Sequence, residues 1–142
     1  MKIRILIVDD EKEICEGLAR HFKFLGYDAV SETNPIEAIN LIENENFQVV
    51  ISDIRMPEMN GPELVAKAKA YNGAIKVIMI TGYVTMCDIM DCMRNGAETC
   101  LFKPLDDLTD LEHAVDDAVA KIVMWQDIMK YIRSMKEQPV SR

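Results

Sequence analysis

The sequence predicts a single doubly wound α/β domain, with helices covering both faces of a parallel five-stranded sheet. Three observations carry this prediction. Short β-branched runs alternate with longer helical periods five times over. The strand runs are nearly continuous in apolar residues, as strands buried on both faces are. Strict alternation of strand and helix requires parallel strands joined by right-handed crossovers. A chain of 142 residues has the length of one domain, and it contains no internal repeat, low-complexity segment or Gly/Ser-rich linker.

The elements follow in order. Ile3-Arg4-Ile5-Leu6-Ile7-Val8 is the first strand and stops at Asp9-Asp10; Ile14, Leu18, Phe22 and Leu25 then share one helical face, and Gly26 ends that helix. A second strand spans about Ala29 to Glu32. Asn34-Pro35 provides the cap and first-turn proline of a helix carrying Ile36, Ile39 and Ile42. Gln48 to Ser52 gives the third strand, ending at Asp53, and Met56-Pro57-Glu58-Met59-Asn60-Gly61 is turn chemistry before a helix with Leu64, Val65 and Ala68. Lys76 to Ile80 forms the fourth strand, ending at Thr81-Gly82. A helix from about Cys87 to Arg94 stops at Asn95-Gly96, and Thr99 to Phe102 is a short fifth strand ending at Lys103-Pro104.

Composition narrows the function classes. With 24 acidic and 16 basic residues the formal net charge is −8, which repels a phosphate backbone, so no direct nucleic-acid partner is expected. No apolar run approaches the length of a membrane span and Met1-Lys2-Ile3-Arg4 lacks the core of a signal peptide, so no membrane contact and a cytoplasmic location are expected. Cys15, Cys87, Cys92 and Cys100 show no CxxC spacing, and the expectation is four small, partly buried thiols without zinc.

The polar residues that interrupt the apolar runs share one end of the sheet: Asp9 and Asp10 after the first strand, Asp53 after the third, Thr81 after the fourth and Lys103 after the fifth. Ligands of open α/β sheets bind there, where the winding reverses. Converging carboxylates about 4 Å apart would repel by roughly 4 kcal/mol per pair at an effective dielectric near 20. Lys103 and a hard divalent cation, best met by Mg²⁺, would offset that repulsion. Because Mg²⁺ is completed by phosphate oxygens, the site reads as one that handles a phosphoryl group. Asp53 is the candidate nucleophile, giving an aspartyl phosphate. Thr81 and Lys103 are the candidates to hold phosphoryl oxygens, and Asp10, Asp53 and the Arg55 carbonyl the metal.

Ile5 to Glu11 (ILIVDDE), Ile51 to Gly61 (ISDIRMPEMNG), Ile80-Thr81-Gly82 and Phe102-Lys103-Pro104-Leu105 together resemble, in order, the motifs of the receiver domain of two-component response regulators. The likeness runs from residue 3 to about 122. It implies a flavodoxin-like sheet in strand order 2-1-3-4-5 and phosphorylation of Asp53 by a sensor histidine kinase. It further implies that Asp9 holds the metal through water, that the Lys103-Pro104 bond is cis, and that the domain catalyses only its own phosphorylation and dephosphorylation. Thr81 would move toward the phosphate and repack a face made by the fourth helix, fifth strand and fifth helix, which meets a downstream protein target. Cys100 stands where the family usually has an aromatic; Tyr83 is a substitute for that readout or a surface residue. Arg55 and Tyr83 flank the route of attacking water in the family and either tune phosphate lifetime or are neutral. The rival is a Mg²⁺-dependent phosphohydrolase with the same intermediate, opposed by Arg55 two residues after the nucleophile, where the haloacid-dehalogenase type places an acid. A purely interacting pseudo-receiver is opposed by the presence of all five site residues.

His21 and His113 lie on helices without a patterned partner and are expected at the surface. Met86, Met90 and Met93 line the fourth helix, as core packing or as an adaptable partner contact. In the last helix Leu108, Leu111, Val115, Ala118, Ile122, Trp125, Met129 and Ile132 form a heptad seam. Residues 106–117 carry six acids and no Lys or Arg, whereas residues 121–142 carry five basic and two acidic residues, a polarity that complements the helix dipole and supports one long helix. Residues 1–122 are therefore read as the receiver and 123–142 as an extension of its last helix. That extension is either a linker or one half of a parallel homodimer that buries Trp125, Met129 and Ile132, in concert with the fourth-helix face. The chain is read as a stand-alone receiver or the receiver piece of a larger regulator.

Overall fold

The computed structural model describes residues 2–82 and 85–137. Five strands alternate with five helices: β1 (Arg4–Val8), α1 (Lys12–Phe24), β2 (Asp28–Glu32), α2 (Pro35–Asn44), β3 (Val49–Asp53), α3 (Gly61–Tyr71), β4 (Lys76–Thr81), α4 (Met86–Arg94), β5 (Thr99–Phe102) and α5 (Thr109–Glu137). All strand pairs are parallel and the sheet runs β2-β1-β3-β4-β5. The order expected from the resemblance is the order observed. The direction of winding reverses between β1 and β3, so Asp9 and Asp53 sit on either side of the crevice that such a reversal opens.

Side-chain alternation divides the core into two layers. Leu6 and Val8 of β1 face one layer, with Ala38 and Ile42 of α2, Leu64 and Val65 of α3 and Cys92 of α4. Ile5 and Ile7 face the other, with Leu18 and Phe22 of α1 and Leu111, Val115 and Ala118 of α5. Burial of β1 on both sides is what its unbroken apolar run requires.

Local chemistry sets the boundaries. The Asn34 side chain accepts from the N–H groups of Ile36 and Glu37, and Asn60 accepts from that of Glu63. Thr85 and Asp88 form a reciprocal capping box, which starts α4 one residue ahead of the expected Cys87. Gly26 and Gly96 adopt positive φ after α1 and α4, as helix-ending glycines do. Ile36 faces solvent, and Ala38 takes the buried position in the first turns of α2.

Two surface expectations need correction. His21 is half-buried and its Nε2 lies 2.6 Å from Glu112 Oε1, which ties α1 to α5; His113 is exposed as expected. Cys87 is exposed, whereas Cys15 and Cys92 are buried and Cys100 is intermediate; burial pushes the Cys15 and Cys92 thiols up to about 11. The heptad seam leaves the domain after Ile122, as expected: Leu111, Val115, Ala118 and Ile122 are buried, whereas Trp125, Met129 and Ile132 are exposed, Trp125 and Met129 bordering an open cleft of about 290 Å³ with Phe47 and Ile75. Met86, Met90 and Met93 are exposed, so α4 does not use them as core.

Candidate functional site

Each site residue occupies the end of a strand. Asp9 follows β1, Asp53 closes β3, Thr81 closes β4 and Lys103 follows β5. Parallel register brings Val8 beside Ser52, Asp53 beside Ile80 and Thr81 beside Phe102, so the four ends meet along one edge. Asp9, Asp10 and Asp53 each offer one carboxylate oxygen within 4.8 Å of the others, with Asp9 and Asp53 buried and Asp10 exposed. An acidic pocket with one wall open to solvent results, built wholly of oxygen donors as a hard divalent cation requires.

Lys103 is the cation that holds this pocket together. Its Nζ donates to Asp9 Oδ2 at 2.9 Å, to Asp53 Oδ2 at 3.1 Å and to Glu11 Oε1 at 3.2 Å. Burial alone would lower the ammonium pKa, but the hydrogen bonds and charges of Asp9 and Asp53 outweigh it, and the pKa is raised. Burial raises the Asp9 carboxyl above its ordinary value, opposed by the hydrogen bonds from Lys103 and from the Glu11 N–H. Asp53 Oδ1 accepts from the Arg55 N–H at 3.3 Å. Glu11 belongs to the motif at the end of β1, yet its contact with Lys103 was not anticipated. The signal was its place two residues beyond Asp9 in a loop that must turn over the pocket.

Thr81 is buried, and among the described residues its hydroxyl is the one buried side-chain polar atom without a hydrogen-bond partner. An unpaired buried hydroxyl carries a desolvation penalty of about 1–3 kcal/mol. It is a donor kept available beside an acidic, cation-ready pocket, which fits a phosphoryl oxygen better than it fits a packing role. Thr81→Val keeps the shape and removes the unpaired group, so a gain of about 1 kcal/mol in urea unfolding is expected; a loss of that size would mean that the hydroxyl is already satisfied.

The other singled-out residues divide. Arg55 is exposed, and its guanidinium contacts Asp88 at 3.2 Å, bridging the β3–α3 loop to the cap of α4. No acid stands two residues after Asp53, and the phosphohydrolase reading is not favoured. The Lys103-Pro104 peptide is cis. Cys100 is half-buried beside Met79 and packs against the layer of α2, α3 and α4, while the exposed aromatic of β5 is Phe102. Tyr83 lies outside the described residues. Among the described residues no helix is long and apolar enough to cross a membrane.

Comparison with known proteins matches residues 5–116 to the response regulator receiver domain. Transcriptional regulatory protein ZraR of Klebsiella oxytoca is 31% identical over 119 residues, 84% of this chain and 27% of that protein. Regulatory protein AtoC of Escherichia coli is 31% identical over 134 residues, 94% of this chain and 28% of its own length. The chain thus spans about a quarter of the length of these two curated relatives. The crystal structure of a CheY-like receiver domain protein from Methanospirillum hungatei JF-1 superposes with a TM-score of 0.84 at 31% identity, covering 87% of this chain and 98% of that one. Fold, pocket and sequence agree, and the chain belongs to the response regulator receiver domain family.

Proposed function

We propose that Asp53 is the phosphoacceptor of this receiver and that a sensor histidine kinase is its phosphodonor. An Asp53 carboxylate oxygen bonds to phosphorus as the bond from phosphorus to the donor's histidine nitrogen breaks. The observation that carries the reading is the convergence of Asp53 with Lys103 Nζ at 3.1 Å, beside the unpaired Thr81 hydroxyl. Lys103 neutralises one equatorial oxygen and Thr81 donates to another, so positioning and charge supply the acceleration.

Asp10, Asp53 and the Arg55 carbonyl would hold Mg²⁺ directly, and Asp9 through water. The ion, when bound, supplies charge neutralisation on the transferred group. Lys103 meanwhile keeps Asp9 and Asp53 together until the cation binds. The domain turns over no external substrate beyond its own phosphorylation and dephosphorylation. Residues up to 122 act as the receiver and those after it, which continue α5 as far as Glu137, as its extension, residues 138–142 lying outside the described residues.

Output runs through the face of α4, β5 and α5, where Met86, Met90, Met93 and Phe102 are exposed and suit a protein target or a second copy of the chain. Free thiols at Cys15, Cys87, Cys92 and Cys100 favour a reducing, cytoplasmic setting, and the net charge of −8 opposes direct contact with nucleic acid or anionic membrane.

The test is intact mass after incubation with a small-molecule phosphodonor and Mg²⁺. One phosphoryl group is expected on the unmodified chain and none on Asp53→Ala. An adduct of equal yield on the variant would place the acceptor elsewhere, and phosphate released over many turnovers would indicate a hydrolase.

A further inference from the structure

The face of α5 that packs against the sheet continues past the end where the strands begin. Leu111, Val115, Ala118 and Ile122 are buried, and Trp125, Met129 and Arg133 follow on the same side at a spacing of 3-4-4. Opposite them, the segments that lead into β3 and β4 present Phe47 and Ile75, each 2% exposed. The two sides do not close. Trp125 and Met129 remain 54% and 50% exposed across an open cleft of about 290 Å³, at the small end of the range for sites that hold small molecules. The cleft lies at the N-terminal ends of the strands, the opposite end from Asp53.

Its charge is unlike that of the chain as a whole. Lys76 and Arg133 line the cleft and, among the described residues, no carboxylate does, although the formal net charge is −8. The Lys76 side chain is 13% exposed; it reaches Glu98 at 3.6 Å, but Lys121 holds that carboxylate more closely at 2.7 Å. Arg133 makes no ion pair among the described residues. The geometry points to a binding site for a small planar aromatic anion, its ring against the Trp125 indole and its carboxylate held by the Arg133 guanidinium and the Lys76 ammonium. The indole offers a broad flat surface, and the guanidinium fork matches a carboxylate at two points. Other occupants fit less well. A cation is repelled, a neutral apolar molecule leaves two partly desolvated cations unpaired, and an inorganic anion leaves the apolar wall wet. The ligand would bridge α5 beyond Ile122 to the loops before β3 and β4, and so fix the direction in which the extension leaves the domain.

The cleft shares no residue with the Asp53 pocket, so it stands or falls independently of the phosphoacceptor reading. Trp125 is the one tryptophan of the chain, and its indole N–H gives a single reporter signal in nuclear magnetic resonance. Titrating the full chain with naphthoate is expected to shift that signal saturably, with a dissociation constant on the order of 1 mM for a ligand of this size. Naphthol, the neutral counterpart, is expected to bind about tenfold more weakly, and Arg133→Gln to weaken naphthoate about tenfold and narrow its advantage over naphthol. Arg20→Gln, exposed on α1 and outside the cleft, is expected to leave both affinities unchanged. The proposal is overturned by the absence of a saturable shift at ten times that concentration or by equal affinity for naphthol. It is overturned equally by an Arg133→Gln variant of unchanged helical content that binds naphthoate as tightly as the unmodified chain.

Discussion

Lys103→Met is expected to lower folding stability by about 3 kcal/mol at neutral pH in the absence of divalent cation, and to be rescued in large part by adding one. The ammonium is the shared donor to Asp9, Glu11 and Asp53, and Asp9 is fully buried. Removing one partner of a buried pair leaves an uncompensated charge, at about 3–5 kcal/mol; the low end applies because the pocket opens through Asp10 and Glu11 can swing to water. The sign with pH follows from the two shifts. Lys103 is raised, so its contribution is complete throughout the neutral range and is lost only well into alkali. Asp9 is raised by burial, so deprotonating it opposes folding, and losing Lys103 raises it further. The deficit of the variant is therefore largest at neutral pH and narrows as acid protonates Asp9. Urea unfolding at neutral and mildly acidic pH, with and without Mg²⁺, measures all three arms; a variant as stable as the unmodified chain at neutral pH would show that Lys103 does not offset the carboxylates.

What was legible in the sequence was whatever a strand end forces. An apolar run that stops on a polar residue gives both the element and the place where its side chain emerges, so Asp9, Asp53, Thr81 and Lys103 could be brought to one edge of the sheet from spacing alone. Contacts between helices were not legible in this way. His21 and Glu112 are 91 positions apart, and nothing in either helix's own period marks the pair. The heptads identified one apolar seam of α5 and its exposed end, but not the cleft that borders that end. The loops carrying Phe47 and Ile75, which line the cleft with Trp125 and Met129, acquire their position only from the completed fold. The Thr81 hydroxyl was legible as a donor, whereas its isolation depends on its neighbours in space. Cys100 could be seen to break the family pattern, but that Phe102 is the exposed aromatic of β5 required the strand's register.

Gly61→Ala tests how closely the backbone behind the acceptor is fitted. Gly61 opens α3, and its N–H donates to the Ile54 carbonyl at 2.7 Å. A Cβ there would lie 2.7 Å from Ile54 Cα, 2.7 Å from Met79 Cε and 3.3 Å from the Asp53 carbonyl oxygen. The Met79 methyl can move, but the two backbone atoms cannot without shifting the loop that begins at Asp53. Overpacking of this kind costs about 1–3 kcal/mol, and the upper half is expected because two of the three contacts are main chain. The displacement would also loosen the Arg55 N–H bond to Asp53 at 3.3 Å, so the rate of phosphoryl uptake should fall by about tenfold or more, as misplacement of a reacting group does. Gly73→Ala is the control: its nearest atom is the Lys69 carbonyl oxygen at 3.9 Å, and a change within about 0.5 kcal/mol is expected at such an exposed position. Chemical denaturation and single-turnover uptake read the two effects separately. A Gly61 variant of unchanged stability would mean that the β3–α3 loop yields freely. One that is destabilised yet phosphorylated at the normal rate would mean that the loop's position does not set the geometry of Asp53.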